Sequence, residues 1–228
     1  EQTVVVDHRR LDFGVAGQDR SVGNAKPFGG LALGLKEVLD ALLAHYSPDA
    51  PVNLLGHSMG GNVVSMYAGV RPERVKKLIN LEGIGLVGAK PEQAPKRMAK
   101  WLDELRTPPV MRAYASLDEV AARLQKTNPR LPTERAAFLA EHWSARNDAG
   151  EYEILGDPAH KMPGPLLYHL DEVIAMWKRI SAPVLWIEAA QTEMWRWLGL
   201  QEEMRAEVDP RLAHMASVEP HIVAEARH

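Results

Sequence analysis

Between residues 51 and 69 a short apolar run is followed by a glycine-rich turn and then by apolar residues at helical spacing. The apolar run, which includes Val52 and Leu54, has the length of a buried strand. The later apolar positions, from Val63 to Ala68, form one face and predict a helix that begins at about Gly61. This stretch is therefore predicted to be a strand, a tight turn and a helix, and the rest of the chain is interpreted around it.

The turn has the sequence Gly56-His57-Ser58-Met59-Gly60, a G-x-S-x-G pattern. A serine at the tip of such a turn has an exposed hydroxyl, and the crowded backbone admits only very small residues two positions before and after it. The helix dipole and the Met59 N–H would point at negative charge that develops beside Ser58. The pentapeptide alone is common, so an ordinary glycine-rich turn is the alternative. The strand before it and the helix after it favour a nucleophilic serine.

Strand and helix patterns alternate through most of the remaining chain. The predicted elements are a hairpin within residues 1–17, a loop at 17–30, a helix at 31–45, buried strands at 75–81 and 182–187, a helix at 194–208 and a short strand at 221–224. Strands that alternate with helices predict an α/β fold, with a mostly parallel sheet and helices on both of its faces.

The composition of the sequence changes between residues 89 and 177, where prolines recur and separate short amphipathic segments. Four of these segments have helical spacing, at residues 97–105, 117–126, 133–143 and 167–180. We therefore predict a helical insertion, residues 87–178, between two parts of a core, residues 1–86 and 179–228. We expect the insertion to lie over the carboxyl ends of the strands, where open α/β sheets carry their sites.

Composition narrows the classes of function. With 228 residues, 46% hydrophobic and 25% charged, the chain has the composition of a soluble globular protein. A net charge of −3 gives no reason to expect a nucleic-acid partner, and no apolar run is long enough to span a bilayer. The absence of cysteine excludes disulfides and a cysteine nucleophile, and it fits a reducing, cytoplasmic location. No metal-ligand spacing or nucleotide-binding fingerprint occurs, so we expect neither cofactor nor metal.

Three stretches of the sequence resemble the α/β-hydrolase superfamily. LLGHSMGGNVVSMYAGVRPERVKKLINLEG resembles the region around the nucleophile of that family. APVLWIE, at residues 182–188, resembles the strand that leads to its catalytic acid, and HIVAEARH, at residues 221–228, resembles the strand that leads to its catalytic histidine. The similarity extends over most of residues 31–228. It implies the α/β-hydrolase fold, with the helical insertion in the place of the family's cap domain.

Two features of the family are missing from the sequence. The predicted hairpin leads almost directly to the helix at 31–45, with no strand that ends in the His-Gly loop supplying the second oxyanion-hole N–H. The final helix after the histidine is also absent. We therefore expect a fold truncated at its N-terminal strands and C-terminal helix, with the Met59 N–H as the assigned oxyanion donor and with slow turnover.

The resemblance implies a catalytic triad in the chain order serine, acid, histidine. Ser58 would be the nucleophile, and His228 the base because it follows a strand in the right order, although a terminal residue could equally be a frayed end. For the acid, Glu193 follows the strand at 182–187 and is the first choice. Glu82, at the end of the strand at 75–81, is the reserve. A carboxylate just past a strand is often only a solvated loop charge.

The sequence indicates the substrate-binding residues less clearly than the catalytic ones. His57 is expected to turn away from Ser58, since neighbouring positions on a tight turn cannot face each other. Most aromatic residues of the insertion are expected to pack its helices, and one or two to line an acyl pocket. The candidate substrate-binding residues are His57, Trp143 and Tyr168.

Taken together, these patterns predict a serine hydrolase that cleaves a carboxylic ester, or a related acyl substrate, through an acyl-enzyme on Ser58. The alternative, from another class, is a degenerate and non-catalytic member of the same fold that binds a small ligand. A small-molecule ester or acyl compound is the expected partner in the first case.

Overall fold

A computed structural model of the chain describes residues 3–7, 10–14, 31–156, 158–198 and 204–228. These residues belong to two units, one within residues 1–98 and 164–228 and the other within residues 99–163. The strands are β1 (Thr3–Asp7), β2 (Arg10–Gly14), β3 (Val52–His57), β4 (Val75–Leu81), β5 (Ala113–Tyr114), β6 (Ser144–Arg146), β7 (Tyr152–Ile154), β8 (Val184–Ala189) and β9 (Val218–Val223). The α-helices are α1 (Leu31–Tyr46), α2 (Met59–Val70), α3 (Ala94–Arg106), α4 (Leu117–Thr127), α5 (Thr133–Trp143), α6 (Leu170–Trp177), α7 (Met194–Trp197) and α8 (Met204–Leu212).

Six strands form one sheet in the first unit, in the order β2-β1-β3-β4-β8-β9. Neighbouring strands are parallel except for β1 and β2, which are antiparallel. The α/β fold with a mostly parallel sheet is therefore confirmed, as is the N-terminal hairpin. Because parallel strands end at the same edge, the turns that follow β3, β4 and β8 all lie at the carboxyl edge of the sheet.

The core of this unit lies between the sheet and the helices that pack on it. Strand β3 is buried at every second position, as expected for a strand with one face toward the core. The largest fully buried side chains come from several elements and include Leu39, Leu54, Leu78, Trp177 and Trp186. Burial of so many large apolar groups is the main source of stability in a domain of this size.

Helix α2, which follows the G-x-S-x-G turn, approaches α6 closely at a glycine. A Cβ atom on Gly69 would lie 2.1 Å from the carbonyl oxygen of Met176, so only glycine permits this approach of the two backbones. Residues Val63 and Val64 on α2 have no exposed surface. The helix that follows the turn is thus buried against the rest of the unit.

The second unit contains helices α4 and α5 and a three-stranded antiparallel sheet in the order β5-β7-β6. Tyr114, Val120 and Ala140 form its small core. The prediction of an insertion built from helices alone was incomplete, because these strands are two or three residues long and too short to show a period of two. The Asn147 side-chain oxygen accepts hydrogen bonds from the Ala149 and Glu151 N–H groups and closes the turn between β6 and β7. The second unit spans residues 99–163, which is a shorter range than the predicted insertion, residues 87–178.

Other predicted boundaries differ by a few residues. The helix after the G-x-S-x-G turn begins at Met59 rather than Gly61, and β9 begins at Val218 rather than at residue 221. The helix predicted at 194–208 is replaced by α7 and α8, and residues 199–203 between them lie outside the described residues. The loop predicted at 17–30 also lies outside them. In the part of the chain that the structure describes, no helix has both the length and the apolar character to cross a membrane.

Candidate active site

Ser58 lies in the tight turn between β3 and α2, with a backbone φ of 54° and ψ of −116°. Such angles are rare for a residue with a side chain, and the surrounding hydrogen bonds hold them. The Ser58 N–H donates to the Leu81 carbonyl at 2.7 Å. A Cβ atom on Gly56 would lie 2.4 Å from the Gly60 carbonyl oxygen, so the expectation that the crowded backbone admits only very small residues there is confirmed. The strained turn presents the serine at the sheet edge.

His228 reaches this serine from the far end of the chain. Its Nε2 atom lies 2.8 Å from the Ser58 Oγ atom, and only 9% of its side chain is exposed. The segment that precedes it is tied to the end of β8, because the Ala190 N–H donates to the Val223 carbonyl and the Gln191 N–H donates to the Ala226 carbonyl. These backbone bonds fix the path of the chain from β9 to the imidazole.

Glu82, which follows β4, contacts the other side of the same imidazole. Its Oε2 atom lies 2.5 Å from His228 Nδ1, and its Oε1 atom accepts the Ala189 N–H at 3.0 Å. The residue is 4% exposed and has a φ of 58°. An ionised carboxylate can only accept hydrogen bonds, so Nδ1 carries the proton. The Nε2 atom then carries no hydrogen and accepts a hydrogen bond from the Ser58 hydroxyl.

The Glu82 carboxylate is stabilised in its charged form. Burial alone would raise the pKa of Glu82, but hydrogen bonds from His228, the Ala189 N–H and Thr192 outweigh it, and the pKa lies below its ordinary value. A buried carboxylate that stays ionised beside an imidazole is the arrangement that orients a histidine base and stabilises its protonated form.

Glu193, the first choice for the acid from the sequence, is not brought to the imidazole. It precedes α7, its side chain is 52% exposed, and its Oε1 atom lies 3.0 Å from Arg196 Nη1 in an ion pair. Both ring nitrogens of His228 are engaged by Ser58 and Glu82. The structure therefore brings together Ser58, His228 and the reserve acid Glu82, and it places Glu193 in a surface ion pair.

His57, which the sequence predicts to turn away from Ser58, has its ring beside that of His228. Its ring centroid lies 4.8 Å from that of His228, with an angle of 34° between the ring planes. His228 follows β9 and lies beside both His57 and Ser58. Together with Glu82, the two histidines place one possible metal-ligand atom each within 4.8 Å of one another. Two imidazoles and a carboxylate are a set of donors that suits zinc.

The other two residues assigned to the substrate, Tyr168 and Trp143, belong to different units. Tyr168 belongs to the first unit, and its hydroxyl oxygen would lie 2.7 Å from a Cβ atom on Gly85. Burial raises the pKa of Tyr168, and the nearby charge of Arg211 partly opposes this. Trp143 ends α5 in the second unit, where its carbonyl accepts the Leu155 N–H at 2.7 Å.

Sequence reasoning missed a buried polar residue that joins the turns of the site. Asn80, in β4, has no exposed surface and hydrogen bonds with Gly61, Ser65 and Gly83. The available signal was an asparagine at a position where the strand pattern predicts a buried apolar side chain.

Comparison with known proteins gives the family. The sequence model of the alpha/beta hydrolase fold matches residues 32–228. The chain belongs to the α/β-hydrolase fold family. The resemblance seen in the sequence is thereby confirmed, and membership of this family supports a hydrolase function.

Several solved structures share the fold at low sequence identity. A hypothetical protein from Pseudomonas aeruginosa PAO1 is 24% identical, with a TM-score of 0.75 over 96% of this chain and 74% of its own. The thioesterase domain from the curacin biosynthetic pathway is 22% identical, with a TM-score of 0.71 over 86% of this chain and 67% of its own. A novel esterase from Mycobacterium tuberculosis is 17% identical, with a TM-score of 0.60 over 86% of this chain and 60% of its own.

Among curated proteins, a serine hydrolase-like protein from Danio rerio is 24% identical over 139 residues. The match covers 58% of this chain and 42% of the relative, so the aligned part spans less than half of that protein.

Proposed function

We propose that this α/β-hydrolase is a serine hydrolase that cleaves a carboxylic ester, or a related acyl substrate, through an acyl-enzyme on Ser58. The observation that carries the proposal is the 2.8 Å separation of the Ser58 Oγ and His228 Nε2 atoms, with the Glu82 carboxylate on the opposite ring nitrogen. A nucleophile, a base within hydrogen-bond reach and a third group that orients the base together form the arrangement required for acyl transfer.

In the first half of the reaction, Ser58 Oγ attacks the acyl carbonyl carbon while its proton passes to His228 Nε2. The imidazolium that forms is stabilised by the buried Glu82 carboxylate, which stays ionised because its pKa is already lowered. The tetrahedral intermediate then collapses, and the leaving group departs with the proton from Nε2. The acyl group remains on Ser58.

In the second half, a water molecule takes the place of the leaving group. His228 Nε2 accepts a proton from this water as it attacks the acyl carbonyl carbon. The second tetrahedral intermediate expels the Ser58 oxygen, which recovers its proton from the imidazolium. The products are a carboxylic acid and the free enzyme, so no oxidant or other co-reactant is needed.

The Met59 N–H is the proposed donor to the oxyanion. Met59 is the first residue of α2, and N–H groups of the first helical turn have no partner within the helix. The positive end of the helix dipole lies at the same place. A negative charge on the substrate oxygen beside Ser58 is therefore stabilised there, most strongly in the transition state.

His57 is the best supported of the proposed substrate-binding residues, since its ring lies beside that of His228. Trp143 and Tyr168 remain proposals on the grounds of their aromatic character. The choice of esters or related acyl compounds as substrates draws on solved structures of the same fold that are named as an esterase and a thioesterase.

A fluorophosphonate probe followed by mass spectrometry of the labelled peptide tests the proposal, since only an activated serine reacts. We expect the label on Ser58 and none on the Ser58→Ala variant. That variant should retain the circular dichroism spectrum of the parent chain and lose hydrolysis of p-nitrophenyl esters, because loss of a triad nucleophile costs about a millionfold in turnover. Absence of labelling in the folded parent chain would favour the non-catalytic alternative.

A further inference from the structure

The amide of Asn80 lies in the centre of the first unit, two residues before Glu82, and it is completely buried. Its nitrogen lies 2.7 Å from Ser65 Oγ, 3.0 Å from the Gly83 carbonyl oxygen and 3.3 Å from the Gly61 carbonyl oxygen. Its oxygen accepts the Gly83 N–H at 2.7 Å. Two amide hydrogens are thus shared among three acceptors, and all polar atoms of the side chain are engaged.

These bonds join the two turns that carry Ser58 and Glu82. Gly61 lies in the first turn of α2, three residues after Ser58, and Gly83 directly follows Glu82. A Cβ atom on Gly61 would lie 2.5 Å from the Asn80 amide oxygen and 2.9 Å from the Gly83 Cα atom. A Cβ atom on Gly83 would lie 2.4 Å from the Gly61 carbonyl carbon. The two turns are therefore in direct backbone contact beside the amide.

Both turns hold a residue in the left-handed region of φ, which is unfavourable outside glycine. Ser58 has a φ of 54° and Glu82 a φ of 58°. Such conformations persist only where surrounding contacts enforce them. The Asn80 amide supplies contacts of this kind to the Glu82 turn, because it binds both the N–H and the carbonyl of the next residue, Gly83.

We propose that Asn80 is a positioning residue, which holds the Glu82 turn against the Ser58 turn and thereby sets the Glu82 carboxylate at hydrogen-bond distance from His228. The hydrogen bonds of the Asn80 side chain go to Gly61, Ser65 and Gly83 and not to the His228 imidazole, so Asn80 would act through Glu82. This proposal rests on the proposed function, since it assigns the amide to the alignment of the same three side chains. A displacement of about 1 Å in such an arrangement can cost about 100-fold in rate.

The rival explanation is that Asn80 only stabilises the core, as any satisfied buried amide does. Ser65 provides the matched control, because it is also fully buried and accepts from the same amide nitrogen. Ser65 lies one helical turn beyond Gly61 on α2 and has no recorded bond to the Glu82 turn. Ser65→Ala removes a buried hydrogen bond and leaves the contacts of Asn80 with Gly61 and Gly83 in place.

The test compares Asn80→Ala and Asn80→Asp with Ser65→Ala, each as the full chain and each confirmed as folded. We expect kcat for p-nitrophenyl ester hydrolysis to fall about 10- to 100-fold in the Asn80 variants, with KM within about twofold. Asn80→Asp keeps the oxygen that accepts from Gly83 but sets a second acceptor against the Gly61 and Gly83 carbonyl oxygens, so it should lose at least as much as Asn80→Ala. Ser65→Ala should lower the melting temperature but keep kcat within about threefold.

A second readout does not depend on turnover. The His228 Nδ1–H proton, bound to a carboxylate at short distance, should give a far-downfield proton NMR signal that disappears in Glu82→Gln. We expect this signal to persist in Ser65→Ala and to shift or broaden in the Asn80 variants. Equal losses of kcat in the Asn80 and Ser65 variants, or an unchanged signal in Asn80→Ala, would overturn the proposal. An unreactive Ser58 would instead refute the proposed function while the signal still tests the role of Asn80.

Discussion

Glu82 and His228 are in contact although a third strand, β8, lies between the two strands that they follow. Glu82 follows β4 and His228 follows β9, and β8 lies between these two strands in the sheet. The carboxylate crosses the end of β8, where the Ala189 N–H donates to its second oxygen. The acid therefore has one oxygen on the imidazole and the other on the strand that it crosses.

This relationship predicts which carboxylate matters for turnover. Glu82→Gln should lower kcat for ester hydrolysis by up to about 10,000-fold, the loss seen when the orienting acid of a serine protease triad is replaced by its amide. Glu193→Gln is the control and should stay within about threefold, because its carboxylate is half exposed and paired with Arg196. Steady-state kinetics on p-nitrophenyl esters measures both. A larger loss for Glu193→Gln would restore the acid that the sequence favoured.

The two acids illustrate what the sequence could predict. Short apolar runs located β3, β4, β8 and β9 and their order along the chain. In the sheet, Leu81 pairs with Ile187, so Glu82 and Glu188 follow at the same height and Glu193 lies five residues further on. That register depends on tertiary packing. So does the positive φ that aims the Glu82 side chain, and neither can be read from a pattern of apolar residues.

Short elements and buried polar groups were missed for related reasons. Strands β5, β6 and β7 exist because they pair with one another, and two or three residues carry no periodic signal. Asn80 is completely buried, and its amide hydrogen bonds to the backbones of Gly61 and Gly83, where a Cβ atom on either glycine would clash. The role proposed for that asparagine rests on contacts with residues distant in the sequence, whereas the G-x-S-x-G turn is local and was located correctly.

Acid should remove the stabilisation that the Glu82 carboxylate provides. The pKa of Glu82 is lowered in the folded chain, so its contribution is present above the ordinary value of 4.5 and is lost as the pH falls through the lower folded value. Urea unfolding across a pH series from neutrality into acid should show parent and Glu82→Gln free energies of unfolding that differ most near neutrality and converge as the pH falls below 4.5 and through the folded value. Glu193→Gln, which removes a half-exposed carboxylate, is the control. A difference independent of pH would show that the carboxylate charge contributes nothing.

Close backbone contact makes Gly56 intolerant of a side chain. A Cβ atom there would lie 2.4 Å from the Gly60 carbonyl oxygen and 2.6 Å from the Gly61 nitrogen, so the turn must shift. Gly56→Ala should cost about 1–3 kcal/mol of unfolding free energy, as overpacking usually does, and should also slow fluorophosphonate labelling of Ser58. Gly88→Ala is the control, since its nearest neighbour would be the Leu170 Cβ atom at 3.4 Å. Equal urea midpoints for the two variants would contradict the prediction.

Zinc should inhibit the enzyme at the site itself. His57, Glu82 and His228 place possible ligand atoms within 4.8 Å of one another, and two imidazoles with a carboxylate are ligands that zinc prefers. A zinc ion on His228 would occupy an imidazole nitrogen that the reaction needs, so turnover should stop while the ion is bound. Mg²⁺ prefers oxygen ligands in octahedral geometry and should inhibit far less.

Titration of zinc into the chain, followed by both ester hydrolysis and isothermal calorimetry, measures this effect. We expect one bound ion, inhibition that EDTA reverses, and inhibition that weakens at lower pH, because protons compete for the imidazole nitrogens. His57→Gln removes one ligand and should weaken zinc binding about 10- to 100-fold, each variant being compared with its own rate without zinc. His142→Gln is the control, because its Nδ1 atom lies 2.8 Å from the Phe138 carbonyl oxygen within α5. Equal zinc affinity in the two variants would exclude His57 from the site and leave His228 and Glu82 as the ligands to test next.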